Sequence, residues 1–156
     1  MARVLIAILL TCISAANQAQ DAKIGSGLEI EKGKVIPLRI SISGEGLTKL
    51  RTRLTEERVR GKVELRLRQA GITPEADTEF EPTIVASVFV VGKGYTTRIE
   101  MNRLVAFYVN GQQYITEATT YNIAQTGTHG GDGEYIVGGM DALLDAFLNE
   151  LLKSNP

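Results

Sequence analysis

The 156-residue chain has no tryptophan, one cysteine, one histidine and four prolines. A single cysteine, Cys12, forms no intramolecular disulfide, so the fold must be held by its core rather than by covalent staples. No Asn-x-Ser/Thr acceptor occurs anywhere, which suits a bacterial envelope better than a glycosylating secretory route. Strong charge of either sign is missing too, with a formal net charge of −1. That balance gives no footprint for nucleic acid or for an anionic membrane surface.

Long apolar runs are also scarce, and the one at the start is informative. Residues 1 to 20 read MARVLIAILLTCISAANQAQ, with Arg3 ahead of an apolar core from Val4 to Ile13 and small residues from Ser14 to Ala19. This is the three-part layout of a cleavable secretion signal. An apolar run of about ten residues is too short for a ~30 Å hydrocarbon core, which takes about 20. Cleavage after Ala16 or after Ala19 satisfies the small-residue rule equally well. Lipid attachment at Cys12 would require Thr11 where a smaller residue is usual, so Cys12 reads as part of the discarded peptide. The expectation is an exported, periplasmic or secreted protein that does not span a membrane, with sixteen basic and eighteen acidic residues once Arg3 is removed.

Residues 21–34 are polar and punctuated by Gly25, Gly27 and Gly33, and are assigned to a flexible leader. Residues 35–156 then form one domain. The alternation of Leu38, Ile40 and Ile42 in VIPLRISIS predicts a strand, with Pro37 near its entrance. Thr55 is placed to cap a helix that carries Glu56 and Glu57 in its first turn, Val59, Val63 and Leu67 at helical spacing, and Gly71 as its stop. After the acidic connector 75–82, Ile84 to Val91 are apolar at both parities, the mark of a strand covered on both faces.

Asn110-Gly111 is a strong hairpin signal. A two-residue turn there sets Val109 opposite Gln112, Phe107 opposite Tyr114, Val105 opposite Thr116, Arg103 opposite Ala118 and Met101 opposite Thr120, all on the expected core face. The other face then carries Tyr108, Leu104, Ile115 and Tyr121 among Arg98, Glu100 and Glu117, too apolar for a bare solvated surface. A glycine-rich loop, 126–133, leads into a final helix whose stripe runs from Ile136 to Leu151. The predicted fold is α+β, a two-layer sandwich of a mainly antiparallel sheet of about four strands with two helices, in the order β-α-β-β-β-α.

The helix segment Val-Glu-Leu-Arg-Leu-Arg-Gln-Ala-Gly-Ile (63–72) and the ending MDALLDAFLNELLKSNP (140–156) resemble those of a group of small, uncharacterised secreted bacterial proteins. The resemblance covers about residues 47–156. It implies export and carries no functional residue across. In outline the element order is also similar to small periplasmic α+β domains, such as those of lipoprotein activators of cell-wall synthases or the N-terminal domain of the Tol-system propeller protein; fold does not imply function.

Candidate chemistry is sparse. His129 lies in THGGDGEY with Asp132 and Glu134, a conceivable cation site whose spacing matches no metal signature. The same loop as a phosphate cradle is opposed by those two carboxylates and by the lack of any Lys or Arg between Arg103 and Lys153. Glu75, Asp77, Glu79 and Glu81 alternate without the spacing of a calcium loop. No Gly-x-Ser-x-Gly elbow is present. Arg58, Arg60 and Lys62 belong to a basic helical region suited to an anionic partner.

These features favour a non-catalytic binding or assembly module of the bacterial envelope, with no cofactor. Its partner is another envelope protein or polymer, and its candidate binding residues are Arg58, Arg60, Lys62, Leu104, Tyr108, Ile115 and Tyr121. The competing expectation is a small metal-dependent hydrolase centred on His129, Asp132 and Glu134. The oligomeric state is not legible.

Overall fold

The computed structural model describes residues 25–31, 35–76 and 82–156. The segment read as a secretion signal, Cys12 included, and Asp77, Glu79 and Glu81 of the acidic run lie outside the described residues. The chain is α+β, with two helices on one face of a five-stranded mixed sheet of order β2-β1-β3-β4-β5. The elements are β1 (Ile36–Ser43), a short 3-10 turn (Glu45–Lys49), α1 (Glu56–Gln69), β2 (Pro74–Ala76), β3 (Thr83–Val91), β4 (Gly94–Val109), β5 (Gln112–Thr128) and α2 (Gly133–Ser154).

The extra strand, β2, is only three residues long and falls at the head of the stretch read as a connector. It pairs parallel to β1 through Ile36–Pro74 to Leu38–Ala76. β1 and β3 are parallel as well, because α1 carries the chain back across the layer between them; β3, β4 and β5 are antiparallel. The sheet is therefore mixed, with two long antiparallel ladders beside the shorter parallel pairings of β1.

Thr55 caps α1 as expected, its hydroxyl accepting from the Arg58 N–H at 3.3 Å. The Glu57 carboxyl beside it is held below its usual range, first by its own backbone N–H and then by Thr55. Gly71 ends the helix at φ 78°. Gly61 faces open space, so close packing does not account for that glycine.

The core lies between the helices and the sheet. Val59, Val63 and Leu67 from α1, and Ile136, Met140, Leu144, Phe147 and Leu151 from α2, meet Leu38, Ile84, Ala86, Val88, Ile99 and Met101. Tyr95 is buried between two glycines: a Cβ on Gly127 would come within 2.9 Å of its ring, and one on Gly139 within 2.8 Å of its hydroxyl. That burial raises the Tyr95 pKa above its ordinary value near 10.

Residues 25–31, assigned above to the leader, are docked on the domain, and Leu28 is fully buried in the core. Long-range hydrogen bonds hold the segment against the end of the chain and the sheet. The Asn155 side chain accepts from the Ile30 N–H at 2.7 Å and donates to the Leu28 carbonyl at 2.9 Å. Thr120 donates to the Gly27 carbonyl at 2.8 Å.

The Glu29 carboxylate gathers the turn by accepting from the N–H groups of Ser26 (2.6 Å) and Gly27 (3.1 Å). Its own backbone N–H and that of Ser26 hold its pKa below the ordinary 4.5. A depressed carboxylate contributes above its unfolded pKa and loses that contribution as pH falls through the folded one. Glu29→Gln is therefore expected to lower amide-exchange protection at Ser26 and Gly27 at neutral pH. Wild type should show the same loss only below pH 4.5. Unchanged protection in the variant would remove Glu29 as the anchor.

Candidate functional site

β4 and β5 run 16 and 17 residues, whereas β3 runs nine. Pairing of β3 with β4 ends at Thr83–Asn102, while β4 and β5 stay paired out to Val109–Gln112. The outer half of the hairpin thus extends past the sheet as a two-stranded ribbon. Its turn is the expected one, with Asn110 at φ 51° and Gly111 at φ 78°. Pairing from Val109–Gln112 down to Arg103–Ala118 agrees with the sequence register.

Below that point Met101 pairs with Tyr121, not Thr120, because Thr120 is an extra residue in a β-bulge. The bulge reverses the side-chain parity of β5. Tyr121 consequently lies on the helix-covered face, where its ring sits 6.0 Å from that of Phe147. It does not join Leu104, Tyr108 and Ile115 on the outer face.

Those three remain open. Tyr108 is 69% and Ile115 65% exposed, and Leu104 is exposed beside them. On the opposite side of the ribbon Phe107 stacks on Tyr114 at 5.6 Å, but both stay exposed because the helices do not reach this far. The expected core face is core only as far out as Met101. Lower on the open face, Glu117 accepts from Arg39 of β1 at 3.3 Å and from Asn102 at 3.0 Å, tying the ribbon's base to the sheet.

The basic helix points elsewhere. Arg58, Lys62 and Arg66, one helical turn apart on α1, pair with Glu134, Asp141 and Asp145 of α2, with Lys62–Asp141 at 2.7 Å. Arg60 donates to the Leu38 carbonyl at 3.1 Å and lies near Glu64. The cations at 58, 60 and 62 thus join elements within the domain, and each exposed pair contributes no more than about 1 kcal/mol.

His129, Asp132 and Glu134 are not brought together. His129 is only 3% exposed; its Nδ1 accepts from the Gly131 N–H at 2.9 Å and its Nε2 lies 3.1 Å from the Gly92 carbonyl. The neutral ring with its proton on Nε2 satisfies both contacts and fastens the loop to the β3–β4 turn. Asp132 caps α2 by accepting from the Glu134 N–H at 2.9 Å, and Glu134 turns to Arg58. Among the described residues no group of three His, Cys, Asp or Glu side chains is placed to hold a metal ion.

A cleft of about 540 Å³ opens where the docked segment meets the ends of both helices, lined by Glu29, Ile30, Ile72, Leu151 and Asn155 among others. The segment that forms one wall carries the polar, glycine-punctuated pattern of a leader, so apolar patterning gives no sign of the cleft. Among the described residues no helix is long and apolar enough to cross a membrane. No protein-family model matches the chain, and a search of curated proteins finds no significant match.

Proposed function

We propose that the protein is a non-catalytic binding or assembly module of the bacterial envelope, exported by the signal at its start, that engages another macromolecule through the β4–β5 ribbon. One observation carries this reading: Leu104, Tyr108 and Ile115 form an apolar outer face on a ribbon that extends past the sheet. An isolated two-stranded ribbon is marginal in water. Large apolar side chains clustered on one mark a surface that is covered when in use. Aromatic anchors of this kind dominate interface energies. The secretion-signal layout and the resemblance to small secreted bacterial proteins support the location.

The test is cross-linked capture from the native envelope with wild type and a Tyr108→Ser/Ile115→Ser variant of matched thermal stability. A discrete partner should be captured by wild type and reduced at least tenfold in the variant, the scale of losing two anchors. Equal capture by both proteins would end the reading.

A further inference from the structure

The outer edge of the sheet is β5, and apart from the bulge at Thr120 it carries few of the devices that keep an edge from pairing. Its 17 residues include no proline, no lysine and one charge, Glu117, in a chain that is 22% charged. Glu117 is already engaged by Arg39 and Asn102. From Ala118 to Thr128 the strand carries no charge. Unprotected edges of this length recruit another strand.

We infer that the occupant is a second copy of this chain, paired antiparallel along β5 about a two-fold axis near Thr120 and Tyr121. The inference deepens the binding reading, since it assigns the ribbon's edge and helix side while leaving its outer face free.

Three features point to self-pairing. First, the bulge at Thr120 puts even-numbered residues of the outer half and odd-numbered residues of the inner half on the helix side. Antiparallel self-pairing with Tyr114 opposite Gly127 of the second copy therefore matches helix side to helix side and outer face to outer face along the whole strand. Second, the two ends of this one strand are complementary. The exposed Phe107–Tyr114 stack sits at one end. At the other, Gly127 lies against the buried Tyr95 ring, and Tyr135, whose ring stands 6.5 Å from that of Tyr95, is 60% exposed. The two-fold brings the stack and the end that carries the exposed Tyr135 together twice, as an isologous contact requires. Third, no like charges face each other in this register, because Glu117 falls opposite Ala124.

The same register sets Thr119 opposite Asn122 of the second copy, on the outer face. Sedimentation equilibrium of the purified protein should show a dimer. Thr119→Lys/Asn122→Lys places like charges directly opposite at two symmetric positions and should weaken association at least about tenfold. Thr119→Lys/Asn122→Asp replaces them with opposite charges and should return it to within about threefold of wild type. Tyr108→Ser/Ile115→Ser should leave the dimer intact, which separates this inference from the partner-binding reading. A monomeric wild type, a double-lysine variant that dimerises normally, a lysine–aspartate variant that does not recover, or a dimer lost in the Tyr108/Ile115 variant would each overturn pairing along β5.

Discussion

Leu28→Ala is expected to destabilise the domain by about 2–5 kcal/mol, the range for truncating a fully buried leucine. Leu28 has no exposed surface and joins the cluster formed by both helices and the sheet. The alanine leaves a cavity whose walls are pinned: the Leu28 carbonyl is held by Asn155, and Gly27 lies so close to β5 that a Cβ there would come within 2.3 Å of the Thr120 carbonyl oxygen. Walls that cannot collapse put the cost toward the upper end. Against a typical domain stability of about 5–15 kcal/mol, that is a large share of the total. In urea, where the slope is about 1–3 kcal/mol per molar, the midpoint should fall by at least about 1 M. Leu65→Ala, on the exposed side of α1, should change the stability by less than about 0.5 kcal/mol. If both variants unfold at the same midpoint, the segment is not part of the cooperative unit.

Local signals made much of the fold legible. Thr55, Gly71 and Asn110-Gly111 each act on neighbours a few residues away, so the ends of α1 and the register of the outer hairpin follow from chemistry visible in a short window. The long-range terms were not visible. Leu28 sits among glycines and charges, and only its packing into the cluster built by distant helices and strands makes it core, with its carbonyl held by Asn155 at the other end of the chain. Leu28 and Ile30, two residues apart in an extended segment, were the available hint.

The bulge is hidden because Thr119 and Thr120 are identical neighbours; either could be the unpaired residue, and the choice decides the face on which Tyr121 lies. For the candidate site, exposure of Leu104, Tyr108 and Ile115 could be anticipated from their mixed surroundings. That Phe107 and Tyr114 are exposed as well depends on β3 stopping at Thr83, a length that apolar patterning does not fix.

Gly44→Ala is expected to be among the most damaging single substitutions. Gly44 follows the last residue of β1, where the chain leaves the sheet and turns into the 3-10 segment against β3. It adopts φ 117° and ψ 148°, a region essentially reserved for glycine, and forcing another residue there costs about 1–3 kcal/mol before any overlap. Overlap is severe as well. A Cβ would stand 2.1 Å from the Val90 carbonyl oxygen and 2.7 Å from its nitrogen, and both atoms belong to the strand at the centre of the sheet. A flexible side chain could swing away; this backbone cannot without breaking its ladder to β4.

The turn also aims the segment that reaches the start of α2, where the Arg51 N–H donates to the Gly131 carbonyl at 2.7 Å and Thr52 bridges to Asp132. Displacing it would therefore loosen both ends of the helical layer. Gly44→Ala should lower Tm by about 10 °C or more, at roughly 4 °C for each kcal/mol in a domain of this size. Gly61→Ala is the matched control, since that glycine faces open space inside α1 and alanine there should gain about 0.5–1 kcal/mol. Opposite signs for the same chemical change would show that the cost at Gly44 comes from its backbone angle and from Val90. Equal shifts would show that the chain can leave β1 by another path.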